Sequence, residues 1–196
     1  RQAHHTDLVA PLSGKGMQAQ EFDVPEVGQM ATVFDHNGLI VRAFRVDHEP
    51  VSPAVGYRFE YKGRSIVVSG DTAKSANLEA MAQGADVLVH EALSKELVAI
   101  INQAAKNNGN KILEKITFDI VDYHTSPVDA AEVAEAAGVS HLLYYHIVPA
   151  LVLPGMESIF LKGVDDVYQG PTTVGIDGSF ISLPAHSETI ATGNLL

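Results

Sequence analysis

The sequence contains no cysteine. That absence removes disulfide bonds, thiolate metal sites and cysteine nucleophiles, while leaving reducing and oxidising compartments equally open. Basic residues are scarce as well: 13 Lys and Arg stand against 24 Asp and Glu, a formal net charge of −11. The field of such a molecule repels polyanions unless a local basic patch overrides it, so nucleic acid is not an expected partner. Long apolar runs are also missing. Those at 65–69 and 139–145 fall far short of the roughly 20 residues a membrane-spanning helix needs, and no membrane partner is expected. The chain opens on Arg1 with no charged-then-apolar leader, and the expectation is that any targeting segment was removed or never included. The compartment stays open.

What is present suits one globular domain with a real core: 196 residues, 46% of them apolar, with 16 Gly and 9 Pro. Residues 1–36 mix Gly, Gln, Pro and His without periodicity and are expected to be an irregular or insertion segment, leaving 37–196 as the domain. From 39 the pattern changes. LIVRAFRV (39–46), AVGYRFEY (54–61) and, after the Lys62-Gly63 turn, RSIVVSGD (64–71) predict an antiparallel meander. DVLVHEAL (86–93) and 141–147 predict buried strands, and the spacing of Leu97, Ile100, Ile101 and Ala104 predicts a helix over 95–106. A further helix is predicted by Ser126 as cap, Pro127 at its first position, Asp129 in its first turn and Gly138 at its end. Shorter helices are expected at 77–82 and 156–161. TTVGI (172–176) and SFISL (179–183) predict a hairpin across Asp177-Gly178.

Polar residues collect at the strand ends: Asp47-His48, Ser69-Gly70-Asp71-Thr72, His90-Glu91 and Tyr145-His146, with Tyr123-His124-Thr125-Ser126 ahead of a helix. Without thiolates, His and Asp are the expected ligands of a hydrolytic zinc-type site, and a carboxylate can bridge two metals about 3.5–4 Å apart. Taken singly, each has an ordinary explanation. A histidine at a strand end is most often a hydrogen-bonded structural residue, Asp71 suits a turn cap, and adjacent His90 and Glu91 must face opposite ways.

Taken together, and in order, DHEPVSPAVGYRFEYKGRSIVVSGDT (47–72), ADVLVHEAL (85–93), YHTSP (123–127) and LLYYHIVP (142–149) resemble the ribonuclease Z and arylsulfatase-like branch of the metallo-β-lactamase superfamily. The resemblance covers about residues 39–150. It implies an α/β fold, the αββα sandwich of two sheet-plus-helix halves, of which this chain carries mainly the C-terminal half. It implies His48 as a ligand of the first of two divalent metals, with zinc expected, Asp71 as the bridging carboxylate and His146 as the terminal ligand of the second. It also implies His124 as the group assisting departure of the leaving group and Glu91 as the residue orienting it. A carboxylate beside a histidine favours its protonated, donating form.

Two departures from the pattern matter. The family's opening His-x-His-x-Asp-His signature is absent, so three ligands are left for two metals, too few to close either site. His4-His5-Thr6-Asp7 offers the right residue types at the wrong spacing. The second departure is the arm that carries transfer RNA in ribonuclease Z members, for which the Lys62-Gly63 turn leaves no room. The expected function is therefore hydrolysis of a small sulfate or phosphate ester by a hydroxide held between two metals, incomplete in this chain. The alternatives are an RNA phosphodiesterase of ribonuclease Z type and a metal-free, non-catalytic relative. The expected partners are a small ester substrate and either a second copy of the chain or a complementing N-terminal half.

Overall fold

The computed structural model describes residues 19–196. Strands β1 (Ala31–His36), β2 (Leu39–Val46), β3 (Ala54–Tyr61) and β4 (Arg64–Val68) form an antiparallel meander. Two of its turns are two-residue type I′ connections with positive φ at both positions, Asn37-Gly38 at 52° and 82° and Lys62-Gly63 at 48° and 79°. The first of these explains a difference from expectation. Asn-Gly is the strongest short hairpin signal, and it pairs 31–36 with β2 inside a segment expected to be irregular.

Beyond β4 the sheet continues with parallel strands β5 (Val87–Leu93), β6 (Leu142–Val148) and β7 (Thr172–Val174), in spatial order β1 to β7. Parallel neighbours require crossovers, and the helices provide them. Helix α1 (Ala76–Met81) links β4 to β5. Helices α2 (Lys95–Asn107), α3 (Lys111–Asp119) and α4 (Pro127–Ala137), with a 3-10 turn at Ile120–Asp122, link β5 to β6, and α5 (Met156–Phe160) links β6 to β7. Helix starts follow their caps: Ser75, Ser94, Asn110 and Ser126 each accept a first-turn N–H. The expected hairpin at 172–183 does not form. Thr172–Val174 pairs with β6, and β8 (Ser179–Ser182) pairs instead with β9 (Ala191–Asn194) in a separate two-stranded sheet. Asp177 lacks the positive φ that a type I′ turn needs.

The core lies on one face of the large sheet. Phe44, Val67, Leu88, Leu142 and Tyr144 pack against Leu78 of α1 and the alanine-rich side of α4 (Ala130, Ala131, Ala134, Ala137). Small residues there let α4 approach closely, and burying a side chain such as Leu88 stabilises the fold by about 1.5–3 kcal/mol. Cross-strand partners on the opposite face, among them Tyr57, Phe59, Val68 and Leu143, stay partly exposed. Arg64 is buried and ion-paired with Asp86 at 2.8 Å, and it donates to the carbonyls of Pro184, Ser187 and Thr189. It thereby ties the segment between β8 and β9 to the sheet.

Candidate active site

Because β2, β4, β5 and β6 all run in one direction, their C-terminal ends meet at a single sheet edge. That topology brings together residues far apart in sequence. His48 follows β2, Asp71 follows β4, Glu91 lies near the end of β5 and His146 near the end of β6. The loop after the 3-10 turn delivers His124 to the same place.

Glu91 is the most deeply set of these, with no solvent exposure. Its Oε1 accepts from His124 Nδ1 at 3.1 Å, from the Thr125 N–H at 3.0 Å and from the Thr72 N–H at 3.3 Å. Burial by itself would lower the His124 pKa, but the hydrogen bond and charge of Glu91, helped by the charge of Asp71, outweigh it and the pKa is raised. His124 therefore tends toward the protonated form with Nδ1–H directed at Glu91, which leaves Nε2 for another partner. Adjacent His90 faces the other way, into the core. Its Nδ1 donates to the Glu91 carbonyl at 2.7 Å, and burial lowers its pKa despite the nearby Glu91 and Asp129. The Glu91 N–H is taken by Ser69 Oγ at 3.0 Å. Side chains thus replace the ladder that β4 would have supplied had it continued.

The other side chains form a more open group. His146 Nε2 lies 3.5 Å from Asp71 Oδ2, and both side chains are more than 40% exposed. His146 has φ of +43° at a β-bulge, where the β5–β6 register slips between Glu91 and Ala92. A left-handed histidine is a strained backbone choice, and here it leaves the residue outside the ladder, at the edge. Before Asp71, Gly70 has φ of +66°, and a Cβ there would come within 2.5 Å of the Val55 carbonyl oxygen. Only glycine fits. His48 Nδ1 meets the Tyr123 carbonyl oxygen at 2.8 Å. A carbonyl only accepts, so this nitrogen carries a proton, and in the neutral ring the lone pair is on Nε2.

The rings of His48 and His146 both lie against that of His124, with centroids 5.2 and 5.8 Å away. Of the three expected ligands, Asp71 and His146 lie 3.5 Å apart, and the rings of His48 and His146 both meet that of His124. Among the described residues no three His, Asp or Glu side chains gather closely enough to hold a metal ion. The His4, His5 and Asp7 cluster lies outside the described residues. A cavity of about 640 Å³ adjoins the open side, lined by Tyr145, His146, Leu151, Val174, Ile176 and Asp177 among others. Thr72 and Thr125 were not singled out from sequence, although both stand beside residues that were. What could have marked them is their place in connecting segments, Thr72 past the end of β4 and Thr125 just ahead of α4, where backbone groups have no ladder partner.

Comparison with known proteins adds to this geometry. Residues 4–147 match the family model described as a beta-lactamase superfamily domain. The chain is 41% identical over 187 residues to Ribonuclease Z of Mycolicibacterium paratuberculosis, covering 95% of this chain and 59% of that protein. It is 34% identical over 177 residues to a Putative ribonuclease Z of Mycobacterium tuberculosis, covering 90% of this chain and 70% of that one. The chain spans between about half and three fifths of the length of the first curated relatives it matches. Among solved structures, the metallo-beta-lactamase fold protein YhfI from Bacillus subtilis aligns with TM-score 0.55 at 15% identity, over 86% of this chain and 54% of that one. Igni18, a metallo hydrolase from Ignicoccus hospitalis, aligns with TM-score 0.53 at 14% identity, over 97% and 67%. These two similarities speak to fold.

One expectation is overturned. Net charge argued against nucleic acid as a partner, yet the curated relatives carry the name Ribonuclease Z. The physical reason is that net charge sums a whole chain, whereas binding depends on the local field.

Proposed function

The chain belongs to the metallo-β-lactamase superfamily of hydrolases, and on that premise we propose that it is the C-terminal portion of a ribonuclease Z-type phosphodiesterase that cleaves RNA. The observation that carries this reading is the Glu91–His124 pair, 3.1 Å apart at the sheet edge, in a chain this similar to proteins named Ribonuclease Z. Glu91 favours protonated His124, whose Nε2–H would then donate to the oxygen leaving phosphorus. General acids placed in this way contribute about 10²–10⁴-fold.

The residues at the open edge suit a divalent metal in type. With Nδ1 held by the Tyr123 carbonyl, His48 has Nε2 as its ligating nitrogen, and Asp71 sets a carboxylate beside the imidazole of His146. His48, Asp71 and His146 would hold the metals, zinc being the expected ion. Bound there, a metal would polarise the phosphoryl oxygen and acidify water. In number the three donors fall short of two closed sites, and further ligands must come from outside the described residues. The remaining work belongs to this chain: Glu91 holds the His124 ring and its charge, and Tyr123 fixes the tautomer of His48.

The hydrolysis of a small sulfate or phosphate ester, expected from charge and from the lack of room for an arm, is the reading that this one replaces. The test uses the full-length protein that carries this chain, loaded with zinc and given a transfer-RNA precursor with a 3′ extension, beside an aryl sulfate and a small phosphodiester. Cleavage of the RNA, with binding that weakens linearly in log salt, is the expected result. Turnover of the small esters with no RNA cleavage would overturn the proposal.

A further inference from the structure

We propose that Thr72 is a positioning residue that sets the four site-bearing segments in register, an inference that rests on the site assignment above. Thr72 is completely buried, and each of its polar groups reaches a different segment. Its N–H donates to Glu91 Oε1 at 3.3 Å. Its hydroxyl accepts from the Asp47 N–H at 3.2 Å and lies 3.0 Å from the Asp47 carbonyl and 2.7 Å from that of Ala73, to either of which it donates. Its carbonyl accepts from the Thr125 hydroxyl at 2.5 Å. The Ala73 N–H adds a bond to the Asp47 carbonyl at 2.7 Å.

Asp47 precedes His48, Thr72 follows Asp71, and Thr125 follows His124. One residue therefore spans the segments that bear His48, Asp71, Glu91 and His124. All of this lies past the end of β4 at Val68, where no strand ladder holds those segments together. Metal and proton-donor geometry tolerates errors of only a fraction of an ångström, so the junction determines where His48 and Asp71 stand relative to the Glu91–His124 pair. A threonine that did no more than satisfy its own hydroxyl would affect stability alone.

The experiment compares Thr72→Val, which keeps shape and main-chain bonds but lacks the hydroxyl, with Thr72→Ser, which restores it. The first measurement needs no metal. The His48 and His124 rings are 5.2 Å apart, so their NMR signals report the separation through ring currents at one fixed pH. The second is zinc affinity of the full-length protein. For Thr72→Val both His signals should move and zinc affinity should fall about 10–100-fold, as for other groups that orient ligands. Thr72→Ser should recover both. Unchanged His signals in a folded Thr72→Val protein would overturn the proposal even if the melting temperature drops. Displaced His signals in a full-length protein that binds no divalent metal even with Thr72 in place would uphold the junction and defeat the metal assignment instead. Should Thr72→Val fail to fold, Thr125→Val cuts only the link to the Thr72 carbonyl. It should displace the His124 signal, and failure to displace it would equally overturn the inference.

Discussion

The two ends of the site are built differently. At one end Glu91 is buried, His124 nearly so, and Glu91 Oε1 accepts from His124 and from the N–H groups of Thr72 and Thr125 of the same chain. At the other, Asp71 and His146 stand more than 40% exposed and share one contact at 3.5 Å. The first end is assembled by folding. The second presents donors on a sheet edge, as a ligand set does when other members are still to come. Buried, hydrogen-bonded charge is expensive to disturb, and exposed charge contributes little to stability. The two ends should therefore differ in how much stability a mutation costs.

The largest effect is expected in catalysis. In the full-length protein, His124→Ala should lower the cleavage rate by about 10²–10⁴-fold, measured as single-turnover RNA cleavage under conditions where the variant is folded. A loss of binding with an unchanged chemical rate would assign His124 to substrate contact instead. Next in size, Glu91→Ala should cost about 3–5 kcal/mol in urea unfolding, because it strands buried donors that had shared one carboxylate. Asp71→Ala, at the open end, should stay within about 0.5 kcal/mol. Equal losses from the two substitutions would erase the distinction between the ends.

The smallest effect is one of pH. The folded pKa of His124 is raised above its ordinary value. The stability it contributes is therefore complete below that ordinary value, about 6.5, and is lost as pH rises through the raised one. His90 has the opposite sign: its pKa is lowered, so its contribution is complete above the ordinary value and is lost as pH falls from there through the lowered one. The difference between the unmodified protein and His124→Ala removes the His90 contribution. That difference in urea midpoint should shrink as pH increases from about 6 upward, and a difference that grows would reverse the sign assigned to the Glu91–His124 pair.

Much of this was legible in the sequence because it rests on short-range chemistry. Ser126-Pro127 with Gly138 marked α4, and apolar runs marked β2 to β6, each through signals carried within a dozen residues. The choice of Glu91 over His90 as the neighbour of His124 follows from strand alternation together with the family resemblance. What escaped was long-range. Whether 172–176 would close on 179–183 depended on β6 offering an edge to β7, and on the conformation of Asp177. The role of Thr72 involves partners 25 and 53 positions away, and no local pattern encodes it. The gathering of the His48 and His146 rings about that of His124 is likewise a property of packing.

Arg64 has a consequence for the order in which the molecule is completed. Its carbonyl partners lie 120, 123 and 125 positions later in the chain, so during synthesis the guanidinium is made long before they exist. Asp86, only 22 residues on, is available early and can neutralise the charge while the sheet grows. The last connections to form are then those from Pro184, Ser187 and Thr189, which close over a cation already in place. Contacts so distant in sequence are slow to find, which makes the tail a latch on a finished sheet and no part of its nucleus.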